Sequence, residues 1–153
     1  MPSHYEDLET GDTFETSTYT LTREEIKTFA AQFDPQPFHT DEEAAKDSMF
    51  GELVASSLHT LCISAYLVVS ELILGESGIA SMGGFGMDDL RWHDPVYPDD
   101  TLHVEVEVLG KTPSNSRTDR GYVDFYRRVF NENGEEVLSM VVKHVIERQA
   151  SRN

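Results

Sequence analysis

The sequence predicts an α+β fold in which one long apolar helix is wrapped by a curved antiparallel sheet. Three observations carry this. After a first strand, helical patterning fills residues up to about 72 and strand patterning the remainder. There is no strand–helix alternation, which argues against a doubly wound parallel sheet. The run LVASSLHTLCISAYLVVSEL has apolar residues on nearly every side, with Ala55, Ser56, Ser57, Ser64, Ala65 and Ser70 between them. A surface helix shows one stripe, so this one expects cover from a sheet or a subunit interface. At 153 residues the chain is long enough for one packed core and too short for two ordinary domains. A single domain over 1–153 is expected, with flexible ends at about 1–8 and 149–153.

The elements follow in order. Residues 1–13 are polar and expected to loop over the surface. FETSTYTL, residues 14–21, reads as a strand rich in Thr and aromatics. Thr22 with Glu25 three residues on forms a capping box, preceded by Leu21 as a staple residue. Ile26, Phe29, Ala30 and Phe33 give that helix an apolar face. Pro35 and Pro37 end it, leaving residues 34–40 as an ordered turn. Asp41 caps a short helix whose first turn carries Glu42 and Glu43. Residues 81–92 are glycine-rich and ambiguous. In residues 101–109, Leu102, Val104, Val106 and Val108 alternate with polar neighbours as on a half-buried strand. Residues 121–130 and 136–147 read as antiparallel neighbours joined by the turn NENG. Asp99 and Asp100 after Pro98 make the turn before the first clean strand.

Charge narrows the partners. Lys plus Arg is 12 against 28 for Asp plus Glu, a net charge of -16, which disfavours nucleic acid and anionic membrane. The same acidity is ill-suited to a polyanionic ligand, so either the ligand is neutral or cationic or the protein is adapted to high salt. At 1 M salt the field of a charge is screened within about 3 Å. Lysines are scarce (Lys27, Lys46, Lys111 and Lys143) and acids are spread along the chain, which favours the halophilic reading. The single cysteine, Cys62, lies in the apolar run and is expected to pack there. The first residues show neither a basic leader nor an apolar stretch. The segment from Leu58 to Leu74 is interrupted by Ser64, Tyr66, Ser70 and Glu71, so it reads as a buried helix. A soluble cytoplasmic protein is expected.

Chemistry concentrates in Asp34-Pro35-Gln36-Pro37-Phe38-His39-Thr40-Asp41. Two prolines stiffen the path between a carboxylate and an imidazole. Aimed at one water, these groups can polarise it and move its proton. The ordinary reading is that Asp34 satisfies turn amides and His39 bonds the backbone. At the entry to the long helix, amides near Ser56 and Ser57 can hold an oxyanion; the ordinary reading is a serine cap. His59 lies one turn further on, facing either the site or the core. Neither serine sits in a G-x-S-x-G frame, and no histidine pair has metal-ligand spacing, so no metal is expected. Gly83, Gly84 and Gly86 lack the context of a dinucleotide fingerprint and suggest a strand that a ligand or the helix approaches closely.

Residues 29–60, FAAQFDPQPFHTDEEAAKDSMFGELVASSLHT, resemble the hydratase motif of MaoC-like dehydratases, the (R)-specific enoyl-CoA hydratase family. The matching residues are Asp34, His39, Asp41, Ala44 with Ala45, and Ser56 with Ser57. RWHDPVYPDDTL, residues 91–102, resembles the family's segment ahead of its outer strands. The resemblance implies a hot-dog fold with the helix from about Ser56 to Glu71 at its centre, and a homodimer or dimer of dimers. It implies reversible hydration of a trans-2-enoyl-CoA to an (R)-3-hydroxyacyl-CoA, with no cofactor beyond the coenzyme A of the substrate. Asp34 and His39 would activate the water and the Ser57 N–H, beside Ser56, would polarise the thioester carbonyl. Asp41 and His59 would stand behind them. Arg91, Lys111, Arg117 and Arg120 are candidates for the coenzyme phosphates, although surface pairing explains them as well. Two departures stand out: Ser56-Ser57 replaces a usual His-Gly, and Asp99 replaces a usual glycine. An acyl-CoA thioesterase or a non-catalytic acyl-binding subunit on the same fold are the alternatives.

Overall fold

The computed structural model describes residues 2–76 and 78–149. Thr22 Oγ1 accepts from the Glu25 N–H at 3.2 Å, and Glu25 Oε1 accepts from the Thr22 N–H at 2.7 Å. This reciprocal cap starts α1, Arg23–Phe33, by satisfying donors that a helix end leaves open. A proline at its first position starts α2, Pro37–Thr40. The Asp41 carboxylate accepts from the N–H groups of Glu43 and Ala44 to start α3, Glu42–Lys46. Ser56 caps α4, Ser57–Leu67, whose end widens into a π-helical segment, Val68–Ile73.

The strands are β1 (Thr13–Glu15), β2 (Tyr19–Thr20), β3 (Ser81–Trp92), β4 (Thr101–Pro113), β5 (Arg120–Phe130) and β6 (Glu136–Glu147). They form an antiparallel sheet in the order β1-β4-β5-β6-β3, with β2 also paired to β4. Alternation decides the inner face. Leu102, Val104, Val106 and Val108 of β4 and Val123, Phe125 and Val129 of β5 are buried with Ile63, Leu67 and Val68 of the helix. The sheet wraps one helix, which is the hot-dog fold.

Several expectations need correction. The strand expected over residues 14–21 is two short ones. The Ser17 N–H and hydroxyl both donate to the Glu71 carboxylate, at 2.8 and 2.6 Å, so the backbone leaves the sheet there. Within the first eight residues, expected to loop over the surface, Tyr5 and Leu8 are buried. The Tyr5 ring lies against Gly121, where a Cβ would stand 2.5 Å from it. Lys111 Nζ and Arg148 Cζ sit 4.6 and 5.3 Å from the ring centroid. At the other end, the Gln149 N–H donates to Glu6 at 2.8 Å; residues 150–153 lie outside the described ones.

Among the described residues of the chain, neither the helix nor any other segment crowds the glycines of β3. A Cβ at Gly83 meets nothing within 4 Å, and those at Gly84 and Gly86 meet only ordinary contacts. Gly83 has φ +143, and the register shifts on both sides of Gly83 and Gly84, so the cluster serves β-bulges. The all-round cover expected for the long helix is also incomplete within one chain. Leu58, Tyr66 and Val69 are exposed, and so is Cys62, because the sheet covers only one side of the helix.

Candidate active site

The turn after α1 places the half-buried Asp34 beside the buried His39. His39 Nδ1 lies 2.7 Å from the Val54 carbonyl oxygen. A carbonyl only accepts, so Nδ1 carries the proton and Nε2 is the end that exchanges one. Nε2 stands 3.3 Å from Asp34 Oδ2. The same oxygen accepts from the Ser56 hydroxyl at 2.7 Å, and Asp34 Oδ1 accepts from Gln36 Nε2 at 2.7 Å. Three chain segments therefore converge on one carboxylate: the end of α1, the Pro-Gln-Pro turn and the cap of α4.

These contacts set the charge of Asp34. Burial pushes its carboxyl up, but the hydrogen bonds from Ser56 and Gln36, joined by the charge of His39 whenever that ring is protonated, outweigh this and hold it below its ordinary value. At neutral pH it is a carboxylate, ready to accept a proton.

The pair opens into a cleft of about 450 Å³ whose apolar wall includes Phe38, Phe50, Val54 and Trp92, a size ordinary for small-molecule sites. Ser57 also lines it. As the first residue of α4, Ser57 has an N–H with no intrahelical acceptor, at the positive end of the helix dipole. Its carbonyl accepts from Trp92 Nε1 at 3.0 Å, which ties the helix entry to β3. Donors at a helix entry opposite an ionised carboxylate suit a substrate whose carbonyl gains negative charge as a proton leaves a nucleophile.

The other expected residues lie elsewhere. Asp41 is the cap of α3 and lines no part of the cleft. His59 is buried against Phe29, rings stacked at 4.5 Å. Burial holds its pKa below the ordinary value, with the Glu25 charge acting the other way. It too is outside the cleft lining, because α4 turns that position toward α1. Arg91, Lys111, Arg117 and Arg120 are likewise absent from the lining. Arg91 donates to the Leu90 carbonyl, Lys111 to the Tyr5 carbonyl, and Arg120 to Asp119. The sequence reading missed Gln36, Thr60, His93 and Asp94, which line the cleft. Gln36 carried a signal in its place between the two prolines, as did His93 and Asp94 within residues 91–102; Thr60 carried none.

A wrapped helix whose entry faces a carboxylate–imidazole pair defines a hot-dog protein with a polar site at the N-terminal end of its central helix. Residues 7–124 match the family described as the MaoC like domain, and the chain belongs to this MaoC-like dehydratase family. A MaoC-like dehydratase from Rhodospirillum rubrum is 42% identical, with a TM-score of 0.86 over 96% of this chain and 98% of that one. The R-hydratase PhaJ1 from Pseudomonas aeruginosa is 28% identical, with a TM-score of 0.76 over 97% of this chain and 87% of that one. The uncharacterized protein YdeM of Bacillus subtilis (strain 168) is 36% identical over 137 residues, 87% of this chain and 94% of its own.

Proposed function

We propose that the protein catalyses reversible hydration of a trans-2-enoyl-CoA to an (R)-3-hydroxyacyl-CoA. The observation that carries this reading is the 3.3 Å approach of His39 Nε2 to Asp34 Oδ2 at the cleft. A water seated against both groups donates one hydrogen to the carboxylate and the other to Nε2, leaving an oxygen lone pair for C3 of the enoyl group. As the C3–O bond forms, the pair takes a proton from the water and returns it to C2. The charge that builds on the thioester oxygen meanwhile rests on the Ser57 N–H. The likeness to the R-hydratase PhaJ1 supports both the reaction class and the stereochemistry. In this reading the protein acts on a cytoplasmic acyl-CoA pool as a homodimer. Among the described residues no helix is long and apolar enough to cross a membrane.

The test follows loss of enoyl-thioester absorbance with crotonyl-CoA and a longer trans-2-enoyl-CoA, at low and multimolar KCl. The expected result is an (R) product, activity that rises with salt, and a loss of about 10²–10⁴-fold in Asp34→Ala and in His39→Ala while both stay folded. Free-thiol release in place of hydration would move the reaction to thioester hydrolysis. Silence in both assays from folded protein would leave an acyl-binding role.

A further inference from the structure

Far from this cleft, β5 carries a residue that its strand pattern does not call for. Positions 123, 125, 127 and 129 face the helix, and position 127 is an arginine among Val123, Phe125 and Val129. Arg127 is 3% exposed. Among the described residues its side chain makes one hydrogen bond, from Nη2 to His144 Nε2 at 3.2 Å, and its Nε has no partner. Because a guanidinium only donates, His144 Nε2 must accept. The ring is therefore neutral and donates from Nδ1 to Ser81 Oγ at 2.8 Å. Burial, followed by the Arg127 charge, holds His144 down at about 4. Burial alone lowers Arg127 to about 10, so it keeps its charge at neutral pH with no carboxylate to answer it among the described residues.

A buried charge without a counter-charge is among the most costly things a core can hold. Arg127 and His144 border a narrow pocket with about 10 Å³ of room for the centre of a small particle, enough for one water or one monatomic ion. Its other walls are Val68, Leu72, Ile73, Ile79, Val106 and Phe125. The first three belong to the π-helical segment, which thus shares the pocket with Arg127. A water there would satisfy one N–H and leave the charge unanswered. A pocket this narrow favours a monatomic anion over sulfate, phosphate or a carboxylate.

We propose that this pocket is a binding site for a single halide ion, chloride in a saline cell, held by Arg127 beside the π-helical segment. The ion is a structural counter-charge, separate from the Asp34–His39 cleft. It makes one component of any salt requirement specific for the anion and independent of surface screening.

The test measures Tm at fixed protein concentration in sodium chloride, sodium bromide and sodium gluconate, each at about 1 M ionic strength. A site that binds only the folded state raises Tm by linkage. The wild type is expected to melt about 3 °C or more higher in both halides than in gluconate. That sign is opposite to general salt effects, which favour the strongly hydrated organic anion. In Arg127→Met the halide increment is expected to vanish. Should that variant not fold, bromide-soaked crystals of the wild type are expected to show an anomalous peak within about 3.5 Å of the guanidinium. Equal melting in all three salts, an increment that survives in Arg127→Met, or wild-type crystals without a bromide peak would each overturn the site.

Discussion

The charge state of Asp34 is set by what surrounds it. Its ionisation below the ordinary carboxylate range depends on the Ser56 hydroxyl 2.7 Å away. Ser56→Ala removes that donor, so the Asp34 pKa rises toward its ordinary value. The acid limb of kcat/KM against pH, which reports the free enzyme, is then expected to move to higher pH while the alkaline plateau persists. The same hydroxyl accepts from the Leu58 N–H, so the variant also loses a helix cap worth about 1 kcal/mol. A merely structural role would lower stability and leave the pH limb in place. Asp34 and His39 were legible in the sequence because one stiff turn of eight residues holds both. The Val54 carbonyl that sets the His39 tautomer was not, since it lies 15 residues away and a backbone acceptor leaves no trace in residue type.

Among the elements, those with local causes were legible. The α1 capping box, the Asp41 cap and the alternation of β4 each state themselves within a few residues. The break between β1 and β2 was not, because Thr and aromatics read as continuous strand while the group that diverts Ser17 lies 54 residues on. The turn before β4 shows a local cause that the chain meets imperfectly. Asp100 N–H donates to the Tyr97 carbonyl at 3.1 Å, and Asp99 has φ 71. This is a type II turn with Pro98 at its second position, and it asks for glycine at its third. Asp99→Gly is expected to relieve the left-handed strain and to stabilise by up to about 1 kcal/mol. A shift of the urea midpoint to higher concentration, with unchanged slope, checks this; an unchanged or lower midpoint would mean that the aspartate side chain contributes more than its backbone costs.

For the molecule as a whole, the single chain leaves two apolar surfaces open. β3 ends the sheet order and exposes Met82, Phe85 and Met87, while the outer side of α4 exposes Leu58 and Tyr66. An unpaired, apolar edge of this length invites another strand. A second copy would give the long helix, whose apolarity on every side was legible in the sequence, its missing cover. Light scattering is expected to give twice the chain mass, and Phe85→Asp to shift the mass toward one chain. A monomeric wild type would leave both surfaces without this explanation.

Glu6 ties the two ends of the described chain together. Its carboxylate accepts from Arg148 Nε at 2.7 Å and from the Gln149 N–H at 2.8 Å. A fold whose beginning and end lie side by side is indifferent to where its chain is cut. A short linker from residue 149 to residue 2 would close it into a ring, and the exposed turn at Asn115 and Ser116 would serve as new termini. The order of elements from residue 2 to residue 149 would then be one of several circular permutations open to this wrapped helix. The same meeting of ends gives two copies joined head to tail a short path from one domain into the next.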